Sequence, residues 1–150
     1  MKYWDDFKVG DRLILKPRAV TEEAILAFGR KYDTQPFHTD PEAAKASVFG
    51  GLAASGWHTC AIMMSMLVEA FTEEKSAGLG SPGIESCRWP RPVKPGDVLS
   101  GTAEVLEVWP SKSKPMGFTR SRTELVNQKG EPVLTLIGLG MYARRPGATA

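Results

Sequence analysis

Val48-Phe49-Gly50-Gly51-Leu52-Ala53-Ala54-Ser55-Gly56-Trp57-His58-Thr59-Cys60-Ala61-Ile62-Met63-Met64-Ser65-Met66-Leu67-Val68 carries no Asp, Glu, Lys or Arg over 21 residues. That length suffices to span a bilayer. Its first part, however, is a Gly-rich loop, and Ser55, His58, Thr59 and Ser65 interrupt the apolar character. The better reading is a loop followed by a core helix that its own protein covers nearly all round. Trp57, Cys60, Ala61, Met64, Leu67, Val68 and Phe71 recur at helical spacing and share one helical face. Ile62, Met63 and Met66 make the other side apolar too. Charge returns at Glu69, and Gly78-Leu79-Gly80-Ser81-Pro82-Gly83 is expected to stop the helix.

Before this run, the chain reads as an opening turn, Phe7 to Asp11, and a strand from Arg12 to Val20. Pro17 puts that strand at an edge or a bend. Thr21 caps a short helix with Glu22 and Glu23 in its first turn, where carboxylates favour the helix dipole. Asp33-Thr34-Gln35-Pro36-Phe37-His38 is expected to be irregular, because a residue before proline avoids the helical region. Asp40 and Pro41 restart a helix as cap and first residue. After the long helix everything reads as strand: Ile84 to Val93, Val98 to Trp109, Phe118 to Val126 and Val133 to Ala143. Leu99, Ala103, Val105 and Trp109 are expected on one side of the second of these. Arg120, Arg122 and Glu124 are expected on a wet face. Helices early and antiparallel strands late mean α+β, with a curved sheet wrapped around one long apolar helix.

The whole chain has 150 residues, which argues for one domain spanning residues 1–150, with a flexible tail from about 145. A hydrophobic share of 42% and a charged share of 24% are an ordinary soluble balance. A net charge of +2 is too mild for a polybasic nucleic-acid binder. The acidic residues Asp5 and Asp6 do not suit a signal peptide. Cys60 and Cys87 lie far apart in sequence, without C-x-x-C or a Cys/His cluster. Neither a disulfide framework nor a structural zinc site is expected, and a cytoplasmic location is.

Asp33 and His38 are the candidate chemistry. Fully extended, the five steps between them would cover roughly 17 Å. Pro36 and the pre-proline Gln35 allow a sharp turn instead. A carboxylate and an imidazole brought together can share a water and run general acid/base work near neutral pH. Gly56 opens the long helix, where unpaired N–H groups meet the positive end of the dipole. Such an N–H can hold a carbonyl oxygen as negative charge develops there. Each piece also has a plainer reading: a helix end, a surface loop histidine, and a glycine for tight packing. His58 reads as a satisfied core histidine, and Met63, Met64 and Met66 as core filler or the lining of an apolar pocket. Arg88, Arg91 and Lys94 read as a solvated strand edge, or as partners for phosphates.

Asp33 to Ala44, Val48 to Trp57, and Arg91-Pro92-Val93-Lys94-Pro95-Gly96-Asp97 together resemble the MaoC-like hydratase/dehydratase family, over about Phe7 to Tyr142. The resemblance implies a hotdog fold, a homodimer or higher homo-oligomer, and no binding of nucleic acid or membrane. It implies reversible hydration of a trans-2-enoyl-CoA to a (3R)-hydroxyacyl-CoA, with no metal and no redox cofactor. Catalysis would fall to Asp33 and His38, and substrate binding to Gly56 through its N–H, with Ser55 and Gln35. Gln35 stands where the family motif most often has Asn, and Ser55 where it often has His. A serine that some hydratases use falls on Met64, with Ser65 adjacent. The alternatives are an acyl-CoA-binding protein with a degenerate hydratase site, and a hotdog acyl-CoA thioesterase.

Overall fold

A computed structural model describes residues 1–148. Helix α1 (Glu22–Tyr32) follows strand β1 (Arg12–Ala19), and the short helices α2 (Pro36–Thr39) and α3 (Pro41–Lys45) come next. The long helix is α4 (Gly56–Glu73). Five strands complete the described chain: β2 (Gly78–Gly80), β3 (Ile84–Arg88), β4 (Val98–Pro110), β5 (Met116–Val126) and β6 (Pro132–Ala143). All pair antiparallel in the order β1-β4-β5-β6, with β2 and β3 both pairing β6.

The sheet curls around α4, because both of its edges reach that helix. From β1, Lys16 bonds Glu73, and Arg18 bonds Glu69 at 2.6 Å. From the other edge, Cys87 of β3 meets Cys60 of α4. This curved antiparallel sheet around one helix is the α+β hotdog fold. Leu15, Ile25, Met66, Leu99, Leu125 and Leu134 are fully buried between the layers.

Local signals explain the early elements. The Thr21 hydroxyl accepts from the Ala24 N–H and caps α1, and Asp40 caps α3 through the Glu42 and Ala43 N–H groups. Pro17 coincides with a register shift in β1 between Leu15 and Arg18. On β5, Arg120 and Arg122 form ion pairs with Glu85, Glu104, Glu107 and Glu124 across the wet face. The tail is tied down where it is described: the Arg145 N–H donates to Asp5 and its guanidinium binds Asp6. Residues 149 and 150 of the expected flexible tail lie outside the described residues.

Four expectations need correction. The inner face of α4 is His58, Thr59, Met63, Met66, Leu67 and Ala70. Trp57, Ala61, Met64 and Val68 form the opposite stripe and are exposed, Trp57 at 62%. Both faces are apolar, so periodicity could not say which one the sheet covers. The helix is therefore covered on one side, not all round. Second, residues 36–39 form a helical turn, since Pro36 suits a first helical position while Gln35 stays extended at φ −61°, ψ 141°. Third, Gly78–Gly80 pairs with β6 as a short edge strand, and the strand expected up to Val93 ends at Arg88. Fourth, a register shift between Val105 and Glu107 turns Trp109 to the wet face, where it stacks on Phe118 at 5.5 Å.

Candidate active site

The link between α1 and α2 places the carboxylate and the imidazole. α1 ends at Tyr32, and Gln35 extends the chain before Pro36 starts a new turn. This reversal brings His38 Nε2 to 3.4 Å from Asp33 Oδ2. Gly29 makes the reversal possible: a Cβ there would stand 2.5 Å from the His38 carbonyl oxygen. Nothing in the sequence around Gly29 marks it for this role.

His38 is buried, and its Nδ1 lies 2.6 Å from the Ala53 carbonyl oxygen. A carbonyl only accepts, so Nδ1 carries a hydrogen and donates it. In the neutral ring Nε2 is then an acceptor facing Asp33. Two side chains hold the carboxylate. Gln35 Nε2 donates to Oδ1 at 2.9 Å, and Ser55 Oγ donates to Oδ2 at 2.7 Å. Burial pushes the Asp33 carboxyl up, but the Gln35 and Ser55 hydrogen bonds outweigh it, together with the charge His38 carries when protonated. The net value lies below the ordinary aspartate one, so Asp33 is ionised at neutral pH.

The structure thus brings Asp33, His38, Gln35 and Ser55 together, and both polar side chains, Gln35 and Ser55, point at the carboxylate. Ser55 also precedes α4, so the Gly56 amide is the next one along. As the first helical residue, Gly56 has an N–H without an intrahelical acceptor. Its α-carbon packs under Trp89: a Cβ would stand 2.6 Å from that indole ring. Ser65 donates to the Ile62 carbonyl at 2.7 Å and is exposed, so it does not stand in at the Met64 position.

A cavity of about 700 Å³ opens between α4 and the concave face of the sheet. Met63, Met64, Leu67, Val68, Leu136 and Leu139 are among its lining residues. Neither Asp33 nor His38 lines it. Arg88, Arg91 and Lys94 are exposed, as a solvated edge requires; Arg91 and Lys94 line a hollow of about 230 Å³ with Asp97, Lys129 and Glu131. His58 is buried and stacks on Phe28 at 4.8 Å, but its Nδ1 has no hydrogen-bond partner among the described residues. The expected satisfied core histidine is a core histidine left partly unsatisfied. Among the described residues, no group of three or more His, Cys, Asp and Glu side chains is placed to hold a metal ion. No helix among them is long and apolar enough to cross a membrane.

Residues 7–126 match the family model described as the MaoC like domain, and the chain belongs to that family. A MaoC-like dehydratase from Rhodospirillum rubrum is 41% identical, with a TM-score of 0.88 over 96% of this chain and 98% of that one. A protein from Archaeoglobus fulgidus described as a monoamine oxidase regulatory protein is 32% identical, also with a TM-score of 0.88, over 96% of this chain and 95% of its own. The uncharacterized protein YdeM of Bacillus subtilis is 29% identical over 83% of this chain and 87% of its own.

Proposed function

We propose that the chain is a hydratase/dehydratase that interconverts trans-2-enoyl-CoA and (3R)-hydroxyacyl-CoA thioesters. One observation carries the reading: two acceptors, Asp33 Oδ2 and His38 Nε2, face each other at 3.4 Å. A water beside this contact can donate one hydrogen to each acceptor, which leaves its oxygen lone pairs free to attack. In hydration the oxygen adds to C3, a water proton passes to the pair, and the pair delivers a proton to C2. Dehydration reverses these steps. The Gly56 N–H is assigned to the thioester oxygen, where charge builds as an enolate forms. Ser55 and Gln35 are assigned to positioning, because both side chains bond the carboxylate. The proposed reaction uses no metal and no redox cofactor, and the proposed setting is the cytoplasm.

The acyl chain is proposed to run along α4 toward the large cavity. Met63 lies two turns beyond Gly56, about 10 Å along the helix axis. A second copy of the chain is proposed to cover Trp57, Met64 and Val68, whose apolar side chains are all exposed. Incubation with crotonyl-CoA and with longer and branched enoyl-CoAs tests the reading through loss of the enoyl thioester absorbance. Hydration of at least one is expected. Release of free thiol instead would indicate a thioesterase. Tight calorimetric binding without turnover would indicate an acyl-CoA-binding protein.

A further inference from the structure

We propose that Cys60 and Cys87 are a thiol modification site, which a hydroperoxide converts into a reversible internal disulfide clasping α4 to β3. The sulfurs lie 3.7 Å apart, on the helix and on the strand at its flank. A disulfide needs them at about 2.05 Å, a closure of less than about 2 Å. Both side chains are half-buried, so a small oxidant can reach them while a bulky thiol is hindered.

The surroundings sort the two sulfurs. Burial pushes the Cys60 thiol up, as does the neighbouring Cys87, to about 12, although a hydrogen bond from Trp89 acts the other way. Cys60 is therefore the poorer nucleophile, and Cys87 is assigned to meet the oxidant first. The Cys87 sulfur attacks one peroxide oxygen, the O–O bond breaks, and the other oxygen leaves as alcohol or water with the proton the thiol gives up. Cys87 is now a neutral sulfenic acid, and its share in raising Cys60 is gone. The Cys60 sulfur attacks Cys87, the S–O bond breaks, and water leaves. In sum, two thiols and one hydroperoxide give a disulfide, an alcohol (or water) and a water. A small dithiol reverses it by exchange.

The site lies beside the proposed active centre without depending on it. Trp89, two residues beyond Cys87, packs on Gly56. A crosslink here fixes β3, and with it Trp89 just past its end, against the first turns of α4.

The test treats the full chain with hydrogen peroxide, followed by a non-reducing peptide map, intact mass and thermal unfolding. We expect both free thiols to disappear together, the mass to fall by two hydrogens, and a Cys60–Cys87 crosslinked peptide. The crosslink closes a loop of roughly 30 residues, so Tm should rise by roughly 5–10 °C and return with dithiothreitol. Cys60→Ser should accumulate a sulfenic acid on Cys87 that dimedone traps, and Cys87→Ser should keep Cys60 as a free thiol. Oxygen-added forms of the wild-type chain without the crosslink would overturn the proposal. So would a disulfide between chains, unreacted thiols, or an internal crosslink that leaves Tm unchanged or lower.

Discussion

Ser55 Oγ donates to Asp33 Oδ2 at 2.7 Å, so the residue that precedes the long helix also holds the carboxylate of the acid/base pair. Ser55→Ala removes a donor that keeps the Asp33 carboxyl below its ordinary value. The carboxyl then rises, and the acid limb of the pH–rate profile moves to higher pH. A lost hydrogen bond to a charged group corresponds to about 10-fold or more in kcat/KM. An unmoved acid limb would show that Ser55 does not tune this carboxylate.

Gly29→Ala is expected to disturb the pair from a distance. The added Cβ would meet the His38 carbonyl oxygen at 2.5 Å, and backbone atoms on both sides leave little room to yield. Such overpacking costs about 1–3 kcal/mol. Urea unfolding should show that loss, and kcat should fall because α2 carries His38. Wild-type stability in this variant would show that α1 and α2 can separate at no cost.

His58 and Asp33 give stability that depends on pH in different windows. Burial lowers the His58 value from 6.5, so the unfolded chain takes up that proton at a higher pH than the folded one. Stability therefore falls as pH drops through about 6.5, until the lowered folded value is reached. Asp33 is depressed, so its contribution is intact above 3.8 and is lost as pH falls through its folded value. In His58→Phe the loss between pH 7 and 5.5 should shrink, as read from urea midpoints. A slope equal to that of the wild type would assign the loss to other groups.

Val68→Lys tests the second copy. Val68 is 53% exposed on the outer stripe of α4, at the rim of the large cavity, and a lysine there disrupts an apolar interface. Light scattering should find the wild type at twice the chain mass and the variant at the chain mass. A wild type that stays at the chain mass would remove the proposed partner.

Much of this was legible in the sequence because local chemistry set it. Thr21 and Asp40 cap helices, Pro17 sits at a strand irregularity, and Gln35 is extended because proline follows it. The Asp33–His38 approach followed from the same turn. What was not legible depended on partners distant in the chain. Nothing within α4 marks Met63 as inner and Met64 as outer, since both are apolar and the sheet decides. Trp109 changed face because one register shift inverts the alternation beyond it. Cys60 and Cys87 became neighbours only when β3 lay along α4. The burden on Gly29 appears only once His38 is placed against it.

The pairing of Asp33 and His38 is proposed to hydrate an enoyl thioester. The most direct measurement is hydration of a trans-2-enoyl-CoA in deuterated water, followed by NMR, for the wild type, Asp33→Asn and His38→Ala. The account predicts deuterium at C2 and a hydroxyl at C3 in the wild-type product, with each variant slower by about 10²–10⁴-fold. Full activity in either variant, or no hydration by the wild type across short, branched and medium chains, would contradict it.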